Sequence, residues 1–365
     1  MGKDMIRLGD VATYINGYAF KPEDRGGVGL PIIRIQDLTG NSYDLGFYNG
    51  EYPRKIEIDN GDILISWSAS LGVYVWNRGK ALLNQHIFKV AFDKVDIDKN
   101  YFVYAVRHKL DDMERKTHGA TMKHIVKKDF DATLIPYPSL SKQVEIATTL
   151  DKLSKIIKVR QQELQLMDDL IRARFVELFG DITTGSYKYE TKKLGDVANV
   201  GSSHRVFTTE FVDSGIPFYR GTEIGELANG LKPTKTYYIS EQHYNRLTSD
   251  DTKPQIGDLL MPSICNKGQV WMVNTDEPFY YKDGRVLCIS PNKKIFNTKY
   301  LEYFMRAKTL IEYPKLGSGS TFAEFKIFSV KDMDVLIPPR EVQKRFADFV
   351  NQIDKSKVVY VNNVG

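Results

Sequence analysis

The chain carries the same ordered set of landmarks twice. Leu8-Gly9-Asp10-Val11-Ala12 near the start returns as Leu194-Gly195-Asp196-Val197-Ala198. Leu30-Pro31-Ile32 is answered by Ile216-Pro217-Phe218, and Gly61-Asp62-Ile63-Leu64 by Gly257-Asp258-Leu259-Leu260. Gly119-Ala120-Thr121 pairs with Gly319-Ser320-Thr321, and Leu134-Ile135-Pro136 with Leu336-Ile337-Pro338. Each copy then runs into a helical segment that contains Gln143 or Gln343. A repeat on this scale is as long as a domain, far beyond the about 20–50 residues of a solenoid unit. The chain must build one fold twice, which suggests two related jobs on one extended object.

Bulk properties agree. A length of 365 residues suits two domains and a connector. With 42% hydrophobic and 27% charged residues, there is enough apolar material for packed cores inside a polar surface. No apolar run reaches the about 18 residues of a membrane span, and Met1-Gly2-Lys3-Asp4-Met5 lacks the apolar centre of a signal peptide. Gly2 is not followed by the serine or threonine of a myristoylation signal, since position 6 is Ile6. Two cysteines, Cys265 and Cys288, make neither a disulfide framework nor a structural zinc site. The expectation is a cytoplasmic protein without a membrane partner. A net charge of +5 permits a polyanionic partner without requiring one.

Residues 1–140 read as short strands broken by turns, closed by a helix with Phe102, Val103, Val106 and Leu110 on one stripe. Pro31 to Ile35, Asp62 to Trp67, Val73 to Trp76 and Ile87 to Phe92 are the clearest strands. Strands followed by a helix, without strict alternation, predict an α+β domain. Residues 181–338 repeat the plan. Residues 141–180 differ: they contain no proline, and Gly180 is their only glycine, at a favoured C-cap position. Leu150, Leu153, Ile157, Leu164, Met167, Ile171 and Leu178 recur at three-four spacing. A helix of that length spans about 60 Å, too long for one small domain, so it reads as a spacer seeking a partner along its apolar seam. The partner expected is the helix that Pro338-Pro339 starts, with Val342, Phe346, Phe349, Val350 and Ile353 as its stripe. Residues 339–365 read as a shortened counterpart that ends near Lys357 and turns β-like over Val358 to Val361. Met167 and Ile171 would then lack cover.

Catalytic patterns are scarce. There is no P-loop, no GxSxG elbow, no HExxH pair, and no methyltransferase cofactor loop with its Asn/Asp-Pro-Pro-aromatic partner. No catalytic residue and no metal ligand is expected. One alternative is a magnesium-dependent nuclease built on Glu324 and Lys326, a Glu-x-Lys with Asp283 or Asp258 as second carboxylate. Its counterparts in the first copy are His124, Ile125 and Val126, so it is not part of the shared plan.

What remains are polar loops at matching places: Tyr18 and Lys21 against Ser203 and Arg205; Arg34 and Gln36 against Arg220 and Thr222; Ser68 and Ser70 against Asn266 and Lys267; Thr121 and Lys123 against Ser320 and Thr321. Such side chains donate to phosphates and read base edges. The apolar, glycine and proline landmarks agree between copies while these loops diverge. One scaffold carrying two loop sets would read two different short sequences.

The arrangement resembles the specificity subunit of type I restriction–modification systems over nearly the whole chain. The resemblance is carried by the two Leu-Gly-Asp-Val openings and the two Gly-Asp strands. It is carried also by Leu134-Ile135-Pro136 through Gln143-Val144-Glu145-Ile146 and its counterpart, and by Phe175-Val176-Glu177-Leu178-Phe179-Gly180 at the end of the central helix. It implies two tandem target-recognition domains joined by long helices packed as an antiparallel coiled coil. The implied partners are double-stranded DNA with a bipartite asymmetric site, two methyltransferase subunits, and motor–nuclease restriction subunits. It implies no cofactor in this chain, with S-adenosylmethionine, ATP and magnesium belonging to the partners. The short second helix leaves a further alternative, a truncated scaffold that reads no sequence.

Overall fold

The computed structural model describes residues 5–41, 44–117, 124–250, 252–316 and 323–362. The chain divides into two compact units, Met1–Val159 and Arg160–Gly365, and each mixes helix and sheet. In the first unit, β1 (Thr13–Asn16), β2 (Ile63–Ser66), β3 (Gly72–Val75) and β4 (Ile87–Ala91) form an antiparallel sheet in the order β1-β4-β2-β3. The second unit repeats it with β5 (Ala198–Gly201), β6 (Leu259–Pro262), β7 (Trp271–Met272) and β8 (Val286–Pro291), in the order β5-β8-β6-β7.

The shared sequence landmarks acquire physical reasons here. Side chains alternate across a strand, and both faces of β2 are covered. Ile63 and Ile65 join a core with Tyr14, Phe88, Phe102 and Phe130, while Leu64 joins another with Ile33, Ile58, Trp76 and Leu82. That is why the strand reads as an unbroken apolar run. Leu259 and Met261 against Leu260 divide in the same way between two cores of the second unit. In the Gly-Asp pair before each strand, glycine takes the left-handed conformation, with φ +88° at Gly61 and +93° at Gly257. The aspartate then closes the turn, accepting from the Asp59 N–H onto Asp62 and from the Gln255 N–H onto Asp258, both at 2.8 Å. In the Leu-Gly-Asp-Val openings, a Cβ at Gly9 would lie 2.9 Å from that of Asp131, and one at Gly195 would lie 3.0 Å from that of Lys331. Only glycine lets these two short helical turns cross so closely.

The strand Met5–Arg7 pairs with Leu134–Pro136, and Thr191–Lys193 with Asp334–Leu336. Each sequence copy thus ties its opening strand to the residues just before a long helix. The helices that matter are α1 (Lys99–His108) in the first unit, α2 (Leu140–Phe179), whose residues 140–159 belong to the first unit and 160–179 to the second, and α3 (Thr298–Glu312) and α4 (Arg340–Asn362) in the second. One buried amide fastens each long helix. Gln143 accepts from the Asp98 N–H (3.0 Å) and donates to the Pro138 carbonyl (2.9 Å). Gln343 accepts from the Asn297 N–H (2.7 Å) and donates to the Ile295 and Pro338 carbonyls. Asp98 and Asn297 are the N-caps of α1 and α3, so each glutamine joins the head of one helix to the head of another. Tyr101 and Tyr300 repeat the logic by donating to the Pro136 and Leu336 carbonyls.

Within the second unit, residues 160–179 of α2 run antiparallel to α4. Phe346 packs on Phe175 and Phe179, the Arg174 guanidinium lies 5.9 Å from the Phe349 ring, and Lys357 meets Asp168 at 2.5 Å. Two expectations are corrected. The second helix does not end near Lys357 with a β-like tail but continues to Asn362. β-Branched residues lower helix propensity only slightly, and extending an existing helix adds a hydrogen bond for each residue fixed. Nor are Met167 and Ile171 left bare: Ile171 is buried among Phe175, Tyr300 and Phe346, and Met167 is half-buried. The rest of the proposed seam is uneven. Leu150, Leu164 and Leu178 are half-buried, whereas Leu153 and Ile157 are 49% and 53% exposed.

A third correction concerns the segments after the proline-containing strands. The strand is Leu30–Ile33, and the expected loop Arg34 to Asp37 opens a short helix, Ile35–Thr39; Gly221–Ala228 is its counterpart. The carboxylate three residues on, Asp37 or Glu223, accepts from the backbone N–H of Arg34 or Arg220 at 2.8 Å and nucleates the turn.

Replacing Gln343 by leucine leaves the Asn297 N–H and two carbonyls without partners in a dry site. An unfolding free energy lower by about 1–3 kcal/mol for each such group is expected, read from urea denaturation of Gln343→Leu against the parent. An unchanged midpoint would remove the amide from its fastening role.

Candidate nucleic-acid interface

In the first unit three strand ends meet. Asn16 at the end of β1 is opposite Phe88, and Ser66 at the end of β2 is opposite Ile87, so the loops after β1 and β2 and the residue before β4 share one edge of the sheet. The Trp67 N–H donates to the His86 carbonyl (3.1 Å), and the Ile125 N–H to the Trp67 carbonyl (3.0 Å). The Trp67 indole N–H donates to Asn16 Oδ1 at 3.2 Å, its ring stacks on Phe88, and it meets the rings of His86 and His124 edge-on at 4.9 and 6.4 Å. His86 holds a left-handed backbone (φ +73°), and its buried Nδ1 has no hydrogen-bond partner. Burial, helped by the nearby charge of His124, lowers the His86 pKa, so the ring is neutral near pH 7.

The second unit builds the same backbone corner. The Ser263 N–H donates to the Arg285 carbonyl (2.9 Å), and the Phe325 N–H to the Ser263 carbonyl (2.7 Å). Trp67, His86 and His124 therefore occupy the places of Ser263, Arg285 and Glu324. The side chains are of another kind. Arg285 donates to Glu324 Oε2 at 2.7 Å, Lys326 pairs with Glu324 Oε1, and Ser263 lies at 3.5 Å. The hydrogen bond from Lys326, with the charges of Lys326 and Arg285, holds the Glu324 carboxyl below the usual range. Beside it, Ser202 takes the Gly284 N–H and donates to the Val286 carbonyl, Ser203 donates to the Tyr281 carbonyl, and Arg205 pairs with Asp283. His204 meets Asp250 at 2.6 Å, and hydrogen bonds from Thr252, then from His204, pull the Asp250 carboxyl down to about 2.

The two carboxylates that could join Glu324 in a Glu-x-Lys site are engaged elsewhere. Asp283 is engaged by Arg205, and Asp258 is buried in its turn. Among the described residues no three His, Cys, Asp or Glu side chains are grouped to hold a metal ion. Glu324 and Lys326 form an ion pair instead.

The residues proposed from sequence fall into distinct places. Tyr18, Ser203 and Arg205 sit at the shared edge, with Tyr18 41% exposed and packed on Phe20. Lys21 is exposed near Glu23. Ser68 is buried and bridges to His124 through its backbone, while Ser70 accepts from the Ser66 hydroxyl through its carbonyl. Arg34 and Arg220 are occupied locally, on Asp37 and Asp44 and on Glu223, with Arg220 also 4.2 Å over the Tyr237 ring. With its amide turned to satisfy both donors, Gln36 accepts from the Arg34 guanidinium at 3.1 Å. Thr222, Asn266 and Lys267 are exposed. Thr121, Lys123, Ser320 and Thr321 lie outside the described residues. The same edge also holds Asn16 and Trp67, which lie within the candidate loops, and His86, His124 and Arg285, which no sequence pattern singles out. A register alignment of β2 with β6 and of β4 with β8 would have matched His86 with Arg285.

Residues 2–166 and 187–359 match the type I restriction modification DNA specificity domain, once per copy. The chain belongs to this family. Over 190 residues it is 27% identical to the EcoBI specificity subunit of Escherichia coli, a match covering 51% of this chain and 40% of that one. Over 386 residues it is 22% identical to the MjaVIII specificity subunit of Methanocaldococcus jannaschii, covering 96% and 86%. Its fold is similar to the S subunit of a type I restriction–modification system from M. genitalium, with a TM-score of 0.58 and 14% identity over 98% of this chain and 91% of that one. As in its relatives, the chain is a specificity subunit and not itself an enzyme. Among the described residues no helix is long and apolar enough to cross a membrane.

His86 supplies a pH test of the corner. Its folded pKa is below the ordinary 6.5, so the unfolded chain binds more protons below that value and stability falls as pH drops. Asparagine tolerates the left-handed backbone and does not titrate. His86→Asn is expected to flatten part of the loss in melting temperature between pH 7 and pH 5, measured by thermal melts across that range. Parallel curves for the two proteins would contradict a buried, unpaired imidazole.

Proposed function

We propose that this chain is the sequence-reading subunit of a cytoplasmic type I restriction–modification complex, binding a bipartite, asymmetric site on double-stranded DNA. Residues 1–140 read one half-site and residues 181–338 the other. The chain recruits two methyltransferase subunits and motor–nuclease restriction subunits, which supply the chemistry that uses S-adenosylmethionine, ATP and magnesium. The observation that carries this reading is one sheet edge built twice with the same backbone bonds and different side chains, within the two segments that match the specificity domain. A single-site binder has no use for two divergent copies. Sequence is read on base edges, while phosphate contacts set affinity and make it fall steeply with salt.

Mapping modified adenines across a genome that carries this chain with its methyltransferase subunits is expected to return two short specific blocks separated by unspecified bases. Exchanging residues 181–338 for another recognition domain is expected to alter one block and leave the other intact. A motif without two blocks would overturn the bipartite reading. Normal assembly without any sequence preference would point instead to a scaffold.

A further inference from the structure

The matched corner differs in hydrogen-bonding sense between the two units. In the second unit both carboxylate oxygens of Glu324 are occupied, Oε2 by Arg285 and Oε1 by Lys326. The acidic group is thus turned inward and serves as a brace. The Arg285 side chain is 56% exposed, and among the described residues Glu324 is its only side-chain partner. A guanidinium has five donors, so most of the fork remains for a ligand while the carboxylate fixes its plane. Such a site offers donors, and the base edge with two adjacent acceptors in the major groove is that of guanine, O6 and N7.

In the first unit the same position holds His86, neutral, with an unpaired buried Nδ1 and a ring set against Trp67. Ala69 (φ +58°) and His86 (φ +73°) are the two described non-glycine residues with a left-handed backbone, and both lie at this edge. That conformation costs roughly 1–2 kcal/mol per residue, and such strain collects at ligand-gripping sites. The matching turns of the second unit place glycines in that region, Gly284 at φ +63° beside Arg285 and Gly268 at φ +68°, so the first unit carries strain where the second uses glycine.

We propose that Arg285, braced by Glu324, reads the acceptor edge of a guanine in the half-site of the second unit, and that His86 with Trp67 is the matched reading position of the first. The proposal rests on the DNA-reading function above and assigns specificity to these positions rather than to Arg34 and Arg220, whose guanidinium groups are tied up in helix caps.

The test is selection from a random duplex library by the full chain assembled with its methyltransferase subunits. Arg285→Ala is expected to relax one guanine in a single block by about ten- to a hundredfold and to leave the other block unchanged. His86→Ala is expected to change only the other block. Glu324→Gln should weaken the same guanine as Arg285→Ala, which a merely structural ion pair would not do. Where Arg285→Ala fails to assemble, Arg285→Lys keeps the charge and carries the test, since a single ammonium cannot make the paired contact. Two wild-type blocks that Arg285 and His86 variants leave intact would overturn this assignment while the DNA-reading function stands. A wild-type library without enriched blocks would overturn that function itself.

Discussion

Each unit depends on a single buried amide at the head of its long helix. Gln143 and Gln343 are almost fully buried, and each satisfies both its own polar ends and the backbone of a neighbouring helix cap. Leaving a buried polar group unpaired is far more costly than the modest net gain of pairing it. The amide therefore admits one docking of the helix and rejects displaced ones. Apolar contact alone would not select a register so sharply. Ala147 beneath Gln143, and Phe346 and Val350 beneath Gln343, pack only where the amide has placed them.

From that fixed point the rest of each unit follows. The strand before the long helix pairs with the strand that opens the copy, the opening turn crosses a second short helix through glycine, and the four-stranded sheet is held between two apolar cores. The sheet edge that carries the candidate interface is consequently a rigid corner of backbone hydrogen bonds. Its side chains can change from indole and imidazole to guanidinium and carboxylate without altering the frame. The exchange extends inward: Lys89, paired with Asp62 in the first unit, corresponds to Cys288 beside Asp258 in the second, where burial and the neighbouring carboxylate push the thiol up to about 12. A frame that tolerates such replacement suits a protein whose function is to differ from one copy to the next.

Strain and charge are also distributed differently. The first unit concentrates its two left-handed non-glycine residues beside an aromatic cluster, whereas the second holds an ion-pair network at the same place. Both devices orient a donor or a ring in advance, which lowers the ordering cost of binding. They do so with chemistry suited to different ligands.

The sequence by itself determined that one α+β plan is used twice and that a helix without proline follows the first copy. These features are local or periodic: glycine where the backbone turns left-handed, an apolar run where both faces of a strand are covered, a heptad-like spacing along 141–179. It also showed that the loops diverge. Only the tertiary structure decided which polar residues meet. Arg34 and Arg220 look like free donors in sequence and are in fact bound to carboxylates three residues on, because the segment folds into a helix. His86 and Arg285 carry no local signal and are placed by residues distant in sequence, His86 against the Trp67 ring that also meets His124, and Arg285 on Glu324. The extent of α4 escaped in the same way, since its last β-branched residues extend a helix already begun. Pairing between distant segments depends on the packing of the whole domain, and no window of sequence contains it.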